Sequence, residues 1–349
     1  MLTAEDSLTQ DVCFPMTLGI TAARLARVAC LVTVLALGVI GCSATPEPVV
    51  AASQTRTVTD VTGAEVQVPE RPQRVVPLSE PTLDGVLALG VTPIGTASGR
   101  GQSGVPNYLA DKAAGVPLLG GIGQPNFEAI GAAKPDLILV DGTSVNNNPE
   151  VVEALKQIAP VVYTGYAGGE WRTNFRHVAA ALGLVEQGEK VIADYEAKVS
   201  ATTESLRTVR EQTFSIVRWQ GTAPALILKE LPPGQALADL GLRRPPAQDT
   251  FGRGHSEPVS LENLQQIDAD YIFFGTLGGS SVSNPNAGGT ADLEGARKAL
   301  KAAEQVPGFT KLNAYRNKHI ILVDGSAWTS TGGPLLMNRL VDDVRNELG

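Results

Sequence analysis

One short pattern occurs twice in this chain, and it constrains the fold more than any other feature. Asn126-Phe127-Glu128-Ala129-Ile130 leads into Lys134-Pro135-Asp136-Leu137-Ile138-Leu139-Val140. Later, Ser260-Leu261-Glu262-Asn263-Leu264 leads into Asp268-Ala269-Asp270-Tyr271-Ile272-Phe273-Phe274. In both copies the Glu precedes an Asp by 8 residues, and that Asp opens an apolar run. Each copy reads as a polar cap, a short amphipathic helix, a turn and a buried strand. Two such units predict two related α/β lobes, each offering a glutamate at an equivalent surface point. Helix-turn-strand units recur in any α/β protein, so the spacing alone does not decide function.

The rest of the chain supplies elements for two lobes. Residues 57–68 alternate around Thr62-Gly63 and predict a hairpin. Residues 74–78 predict the first core strand. Ser79 and Glu80 before Pro81 predict a helix start, with Gly90 closing that helix after Leu89. Further strands are predicted at 93–97, 137–140 and 161–163, and strands alternating with helices indicate a parallel α/β lobe. From 170 to 211 apolar positions such as Val191, Ile192, Tyr195, Val199 and Leu206 recur near helical spacing. This predicts one long helix after Leu184, preceded by a shorter one from Trp171. Strands return at 214–218, 225–228, 271–274 and 319–323, and a last helix is predicted over 334–348. The predicted organisation is an N-terminal lobe over 57–169, an interlobe helix region over 170–211 and a C-terminal lobe over 212–349.

The N-terminal segment speaks to compartment. Arg24 and Arg27 precede an uninterrupted run of apolar and small residues over 28–40. That run is shorter than the about 20 apolar residues a membrane span takes, and its flanks suit a cleaved secretory signal. It ends in Val39-Ile40-Gly41-Cys42, which resembles a bacterial lipobox. The resemblance implies a signal peptide over 1–41 and a diacylglycerol thioether on Cys42 as the first mature residue. Glu5, Asp6 and Asp11 sit where a signal peptide wants positive charge, so Met16 is a plausible start. Cys13 and Cys30 precede the cleavage point, which leaves neither a disulfide nor a cysteine metal site in the mature chain. Residues 43–54 are rich in Ala, Pro, Val and Ser and, within a 42–56 segment, read as a tether.

Composition fits this placement. The 349 residues are 43% hydrophobic and 18% charged, enough for a large core with a length favouring two lobes. The net charge of −8 argues against a nucleic-acid binder, which carries a basic footprint. A local basic pocket remains compatible with an acidic protein.

Taken in order, the lipobox, Arg74-Val75-Val76, both Glu-containing motifs and the long central helix make the chain resemble the iron-siderophore and cobalamin class of substrate-binding lipoproteins for ABC importers. The resemblance covers nearly all of the mature chain; its motifs are short and degenerate, but their order and spacing are specific. It implies two Rossmann-like α/β lobes with parallel sheets, joined by a rigid interlobe helix that limits closure. Ligand is then held in the cleft between the lobes. Carried over by motif, Glu128 and Glu262 become the carboxylates that meet arginines on the two transmembrane subunits, where paired charges fix orientation. Each Glu also lies in a first helical turn, where it favours the helix dipole. The protein is then a monomer without a cofactor of its own, tethered to the membrane face outside the cytoplasm. Ferric iron enters only as part of the ligand.

Cleft residues are expected at the carboxyl ends of strands. Ser79 follows the first strand, and Arg100 and Tyr108 follow the second. Trp171 precedes the interlobe helix, while Arg253 and His255 are chosen by loop position. Arg218 and Trp219 end the 214–219 stretch, and Arg218 matches an arginine often found at that strand end in siderophore-binding relatives. A guanidinium there suits the anionic hydroxamate, catecholate or carboxylate oxygens around ferric iron. Trp328, in Asp324-Gly325-Ser326-Ala327-Trp328, resembles a family loop that borders the ligand. Trp219 and Trp328 are expected to pack on the ligand's apolar flanks, although each also suits a core or rim.

Other functions remain open to different degrees. Direct zinc or manganese binding needs a His/carboxylate cluster, and His177, His255 and His319 show no close metal spacing. Haem could use His255 or a cleft tyrosine, and cobalamin needs mainly aromatic and hydrogen-bonding groups. An extracellular hydrolase is the rival from another class. The chain has no Gly-x-Ser-x-Gly elbow, His-Glu-x-x-His helix or Walker loop, although Glu80, Asp141 and Asp324 are acids at strand ends.

Overall fold

The computed structural model describes residues 54–144, 148–278 and 289–349. The signal segment, Cys42 and nearly all of the expected tether lie outside the described residues.

The described residues open with an antiparallel hairpin of β1 (Thr55–Thr59) and β2 (Glu65–Pro69), turned at Gly63 with φ +85. β3 (Val75–Pro77) then enters the first core and leads into α1 (Glu80–Ala88). Ser79 caps α1 in a reciprocal box with Thr82, and proline occupies the first turn, where its missing N–H costs nothing. β4 (Thr96–Ser98), β5 (Leu118–Gly121) and β6 (Gln124–Pro125) form a small mixed sheet. α2 (Phe127–Ala132), capped by Asn126, precedes β7 (Leu137–Val140); α3 (Pro149–Lys156) connects β7 to β8 (Val161–Tyr163). β3, β7 and β8 make a parallel sheet in that order, and all of β7 is buried, as a strand covered on both faces requires.

α4 (Trp171–Leu182) ends at Gly183 with φ +72, and α5 (Val185–Ser205) runs 21 residues, about 30 Å at 1.5 Å per residue. Lys198 pairs with Asp342 at 2.6 Å, and Tyr195 donates its hydroxyl to Asp239 at 2.8 Å. The long helix is thereby tied to the C-terminal lobe.

That lobe begins with β9 (Phe214–Gln220) and β10 (Ala223–Leu226), followed by α6 (Pro232–Asp239) and β11 (Glu257–Pro258). β12 (Tyr271–Gly275), α7 (Leu293–Ala303), α8 (Asn313–Arg316), β13 (Ile320–Leu322), α9 (Gly325–Trp328) and α10 (Pro334–Leu348) complete it. The sheet order is β11-β10-β9-β12-β13. Its core pairs, β9 with β12 and β12 with β13, are parallel.

Three details differ from the sequence expectation, the first being that the 93–97 strand forms at Thr96–Ser98. The 225–228 strand is shifted to Ala223–Leu226 and turns back on β9 through Gly221, so it pairs antiparallel, as does β11. The second sheet therefore combines a parallel core with an antiparallel edge. The segment Leu261–Ile267 is a 3-10 turn pair kinked at Asn263 rather than one regular helix.

The repeated Glu/Asp pattern has a structural basis in the strand starts. Asp136, just before β7, accepts the amides of Gln73 at 2.8 Å and Arg74 at 2.9 Å, just before β3. Asp270, just before β12, accepts the amide and hydroxyl of Thr213, each at 2.8 Å, just before β9. The registers match too, with Val75 opposite Leu137 and Phe214 opposite Tyr271. Each Asp thus fixes where two adjacent parallel strands begin.

Alternation sends side chains to different cores. Val76, Ile138 and Val140 face an outer core of the first lobe, and Val217, Ile272 and Phe274 one of the second. Val75, Leu137, Leu139, Phe214, Ile216 and Phe273 join a central cluster with side chains from α4, α5 and α10. Because that cluster takes residues from both main sheets, wide opening of the lobes would expose buried apolar surface.

Candidate functional site

A cavity of about 260 Å³ lies where loops of the two lobes meet. Arg100, Gly142 and Thr143 line it from the N-terminal lobe, Arg218, Arg253, His255 and Ser256 from the C-terminal lobe, and Thr329, Ser330 and Thr331 from the segment before α10. A larger surface hollow of about 550 Å³ is lined by Leu300, Thr310, Tyr315, Arg316, Lys318 and Ile320, all from the C-terminal lobe. The smaller cavity draws on loops after several strands, the usual location of a ligand site in such sheets.

The charged groups of this cavity are held by specific contacts. Arg100 donates from Nη2 to the Thr143 carbonyl at 2.7 Å, while its amide donates to Glu80 Oε1 at 2.7 Å. Arg218 donates to the Ser256 hydroxyl and to the Thr329 carbonyl, the latter at 3.4 Å. Burial first, and then the charge of nearby Arg100, push the Arg218 guanidinium down to about 10, so it remains a cation at neutral pH. Arg253 is exposed at the rim and pairs with Glu257 at 3.4 Å. The exposed His255 meets the Ser256 carbonyl through Nδ1 at 3.0 Å.

Buried acids shape the walls. Glu230 accepts the amides of Gly252 at 2.8 Å and Gly254 at 3.3 Å, fixing the loop that carries Arg253, His255 and Ser256. Gly254, with φ +80, leaves room for the Ala167 carbonyl, which a side chain there would meet at 2.4 Å. Asp141 accepts the hydroxyl of Thr143 at 2.6 Å and its amide at 2.9 Å. Burial pushes the Asp141 carboxyl up to about 6 despite these bonds, and the charge of Glu80 acts in the same direction. Among the described residues, Glu80 Oε2 is buried without a hydrogen-bond partner. Ser330 also reaches Glu80 Oε1, at 3.4 Å, across the lobes.

Several sequence-chosen residues stand elsewhere. Trp171, Trp219 and Trp328 are only 2%, 1% and 0% exposed, and none lines the cavity. Trp171 packs edge-on to Tyr195, and Trp219 lies among Phe274 and Phe309. Trp328 stacks on Phe273 at 4.1 Å and donates Nε1 to Asp343 at 2.9 Å. All three are placed by core packing, which corrects their assignment to the ligand face. Ser79 is a helix cap rather than a cavity residue, its hydroxyl accepting the Thr82 amide at 3.2 Å. Tyr108 donates its hydroxyl to buried Asp84 at 3.0 Å, and burial holds that phenol well above its ordinary value. Of the chosen cleft residues, the structure brings together Arg100, Arg218, Arg253 and His255.

Sequence reasoning passed over Glu230, Ser256 and residues 329–331. Their signal was weak, because Glu230 lies in an ordinary loop before Pro232 and the others are small hydroxyl residues in turns. Glu128 and Glu262 are exposed in the first turns of α2 and of the Leu261–Ile267 segment. No group of three or more His, Cys, Asp or Glu able to hold a metal occurs among the described residues. No helix among them is long and apolar enough to cross a membrane.

Comparison with known proteins adds sequence and fold relatives. The family profile described as "Periplasmic binding protein" matches residues 75–327. The probable siderophore-binding lipoprotein YfiY of Bacillus subtilis is 30% identical over 305 residues, covering 84% of this chain and 88% of that protein. The achromobactin-binding periplasmic protein of Dickeya dadantii is 27% identical over 287 residues, covering 80% and 87%. Among solved structures, Staphylococcus aureus SirA complexed with staphyloferrin B superposes with a TM-score of 0.69 at 23% identity, over 84% of this chain and 98% of that one. At that identity the match speaks to the two-lobed fold.

Proposed function

The chain belongs to the periplasmic binding protein family, and from that membership we propose that it captures a ferric siderophore outside the cytoplasm and delivers it to an ABC importer. The observation that carries this reading is the meeting of Arg100 and Arg218 from opposite lobes at one cavity. Their guanidinium groups bond only to carbonyl or hydroxyl oxygens among the described residues. Two cations facing one space without carboxylate partners favour an anionic ligand, and ferric siderophores present anionic oxygen donors. The names of YfiY and of the achromobactin-binding protein agree with this class of cargo.

Delivery rests on two further assignments. Glu128 and Glu262 are exposed and sit at matched points of the repeat, which suits two symmetric charge pairs with a permease. Cys42 is assigned the lipid anchor on its lipobox-like context, and lipoproteins are named among the relatives. The mechanism is binding and release, with the shared central core limiting how far the lobes part.

The test is calorimetric titration of the chain from Ser43 onward with ferric siderophores of several chelate classes, beside haem and cyanocobalamin. Saturable submicromolar binding of a ferric siderophore supports the reading. Binding of haem or cyanocobalamin alone would replace it with a receptor of the same architecture for that ligand.

A further inference from the structure

The cavity offers cations and hydroxyl groups but almost no ring surface. Arg100 and Arg218 face it from opposite lobes, Arg253 adds a third guanidinium at the rim, and Thr143, Ser256 and Thr329 add hydroxyl groups. The His255 imidazole is the only aromatic ring lining it among the described residues. Every tryptophan of the chain is committed to a core.

Each chelate class meets these walls differently. A neutral trihydroxamate complex brings no net charge to compensate two guanidinium groups that lack carboxylate partners, and leaving them uncompensated in a closed cleft is costly. A tris-catecholate complex brings charge, but its outer surface is mostly the faces and edges of aromatic rings. Such rings gain from stacking and from cation–π contact with flat side chains, and a hydroxyl-lined wall supplies little of either. A complex built from hydroxycarboxylates, such as citrate units, is anionic and carries planar carboxylates at its periphery. Those carboxylates fit the guanidinium fork in bidentate pairs, and their remaining oxygens accept from threonine and serine hydroxyls.

We infer that the site is selective for ferric hydroxycarboxylate chelates, of the citrate type, with Arg100 and Arg218 as the paired carboxylate anchors. The inference rests on the ferric-siderophore reading above and narrows it to one chelate class. Arg253, already paired with half-buried Glu257, serves the rim and contributes mainly to encounter.

The experiment ranks affinities of the chain from Ser43 for three probes under one buffer: ferric citrate, a ferric tris-catecholate and a ferric trihydroxamate. The expected result is that ferric citrate binds at least tenfold more tightly than either other probe, and that its affinity falls as salt rises. Arg218→Gln is expected to weaken ferric citrate at least tenfold while leaving the melting temperature unlowered. Tightest binding of the catecholate or the hydroxamate would overturn the chelate assignment and leave the siderophore reading standing. Absence of binding by all three ferric probes, with a folded protein by circular dichroism, would overturn both.

Discussion

The Asp84 carboxylate on α1 accepts the amide of Leu335, in the first turn of α10, at 2.8 Å, and the next amide, Leu336, at 2.9 Å. This joins the first helix of one lobe to the last helix of the chain. Those amides are among the donors that a helix N-terminus leaves without intrahelical partners. Tyr108 adds a third donor to the same carboxylate. Asp84→Ala is therefore expected to strand three donors in a buried place and to lower stability by about 2 kcal/mol, less than three separate losses because a buried charge disappears with them. Chemical denaturation measures the loss, and hydrogen exchange should accelerate at Leu335 and Leu336. Unchanged exchange there would mean that the bonds do not hold the helix.

Asp141 leads to a prediction about pH. Its carboxyl is pushed up to about 6 by burial, above the ordinary aspartate value of 3.8. Between those values the folded state binds more protons than the unfolded state, so stability falls as pH rises. The contribution is fully present below about 3.8 and is lost as pH passes 6. Its size is on the order of 3 kcal/mol. Asp141→Asn keeps an acceptor for Thr143 and removes the titration, so the variant should lose less stability than the parent between pH 4 and pH 7. Equal slopes in denaturation series across that range would refute the assignment.

Much of the fold is legible in the sequence because local rules and packing agree there. The Pro334–Leu348 helix starts at a proline and keeps its apolar spacing, and it forms over the predicted residues. The helices from Trp171 and after Leu184 likewise form where their spacing and the Gly183 stop place them. The antiparallel return of β10 was hidden because strand direction depends on a turn at Gly221 and on an edge partner. The cavity was legible in part through Arg100 and Arg218, which follow predicted strands and line it, although a strand-end guanidinium also suits a surface ion pair. Its hydroxyl groups were not, because serine and threonine in a turn look alike whether or not they face a cavity.

The tryptophans were the least legible, since a large ring at a strand end suits a core and a ligand wall equally. Register decides it for Trp219, which shares the outer face of β9 with Val217 and packs on Phe274 and Phe309. Arg218, between them, points the other way, toward the cavity. Trp219→Phe should cost about 1–3 kcal/mol through lost packing and the lost bond to the Gly221 carbonyl. Affinity for the ferric ligand should stay within about threefold of the parent, because the ring does not touch the cavity. A tenfold loss of affinity in a variant of normal structure would return Trp219 to the binding surface.

Glu128 and Glu262 allow binding to be separated from delivery. Both are exposed, and neither forms an ion pair among the described residues. Reversing either charge therefore disturbs no partner within the chain, and exposed substitutions of this kind usually change stability by less than about 0.5 kcal/mol. The loss of a favourable helix-dipole contact is of similar size, about 0.3–1 kcal/mol. The Glu128→Arg/Glu262→Arg double variant should thus bind the ferric ligand as the parent does. Docking onto a cationic permease surface would instead meet two like charges, a cost of several kcal/mol across a close interface. Uptake of radioactive iron by cells carrying only the double variant should fall to background, with each single variant intermediate. Restoration by acidic substitutions on the permease would identify the partners, whereas normal uptake in the double variant would remove both glutamates from the docking surface.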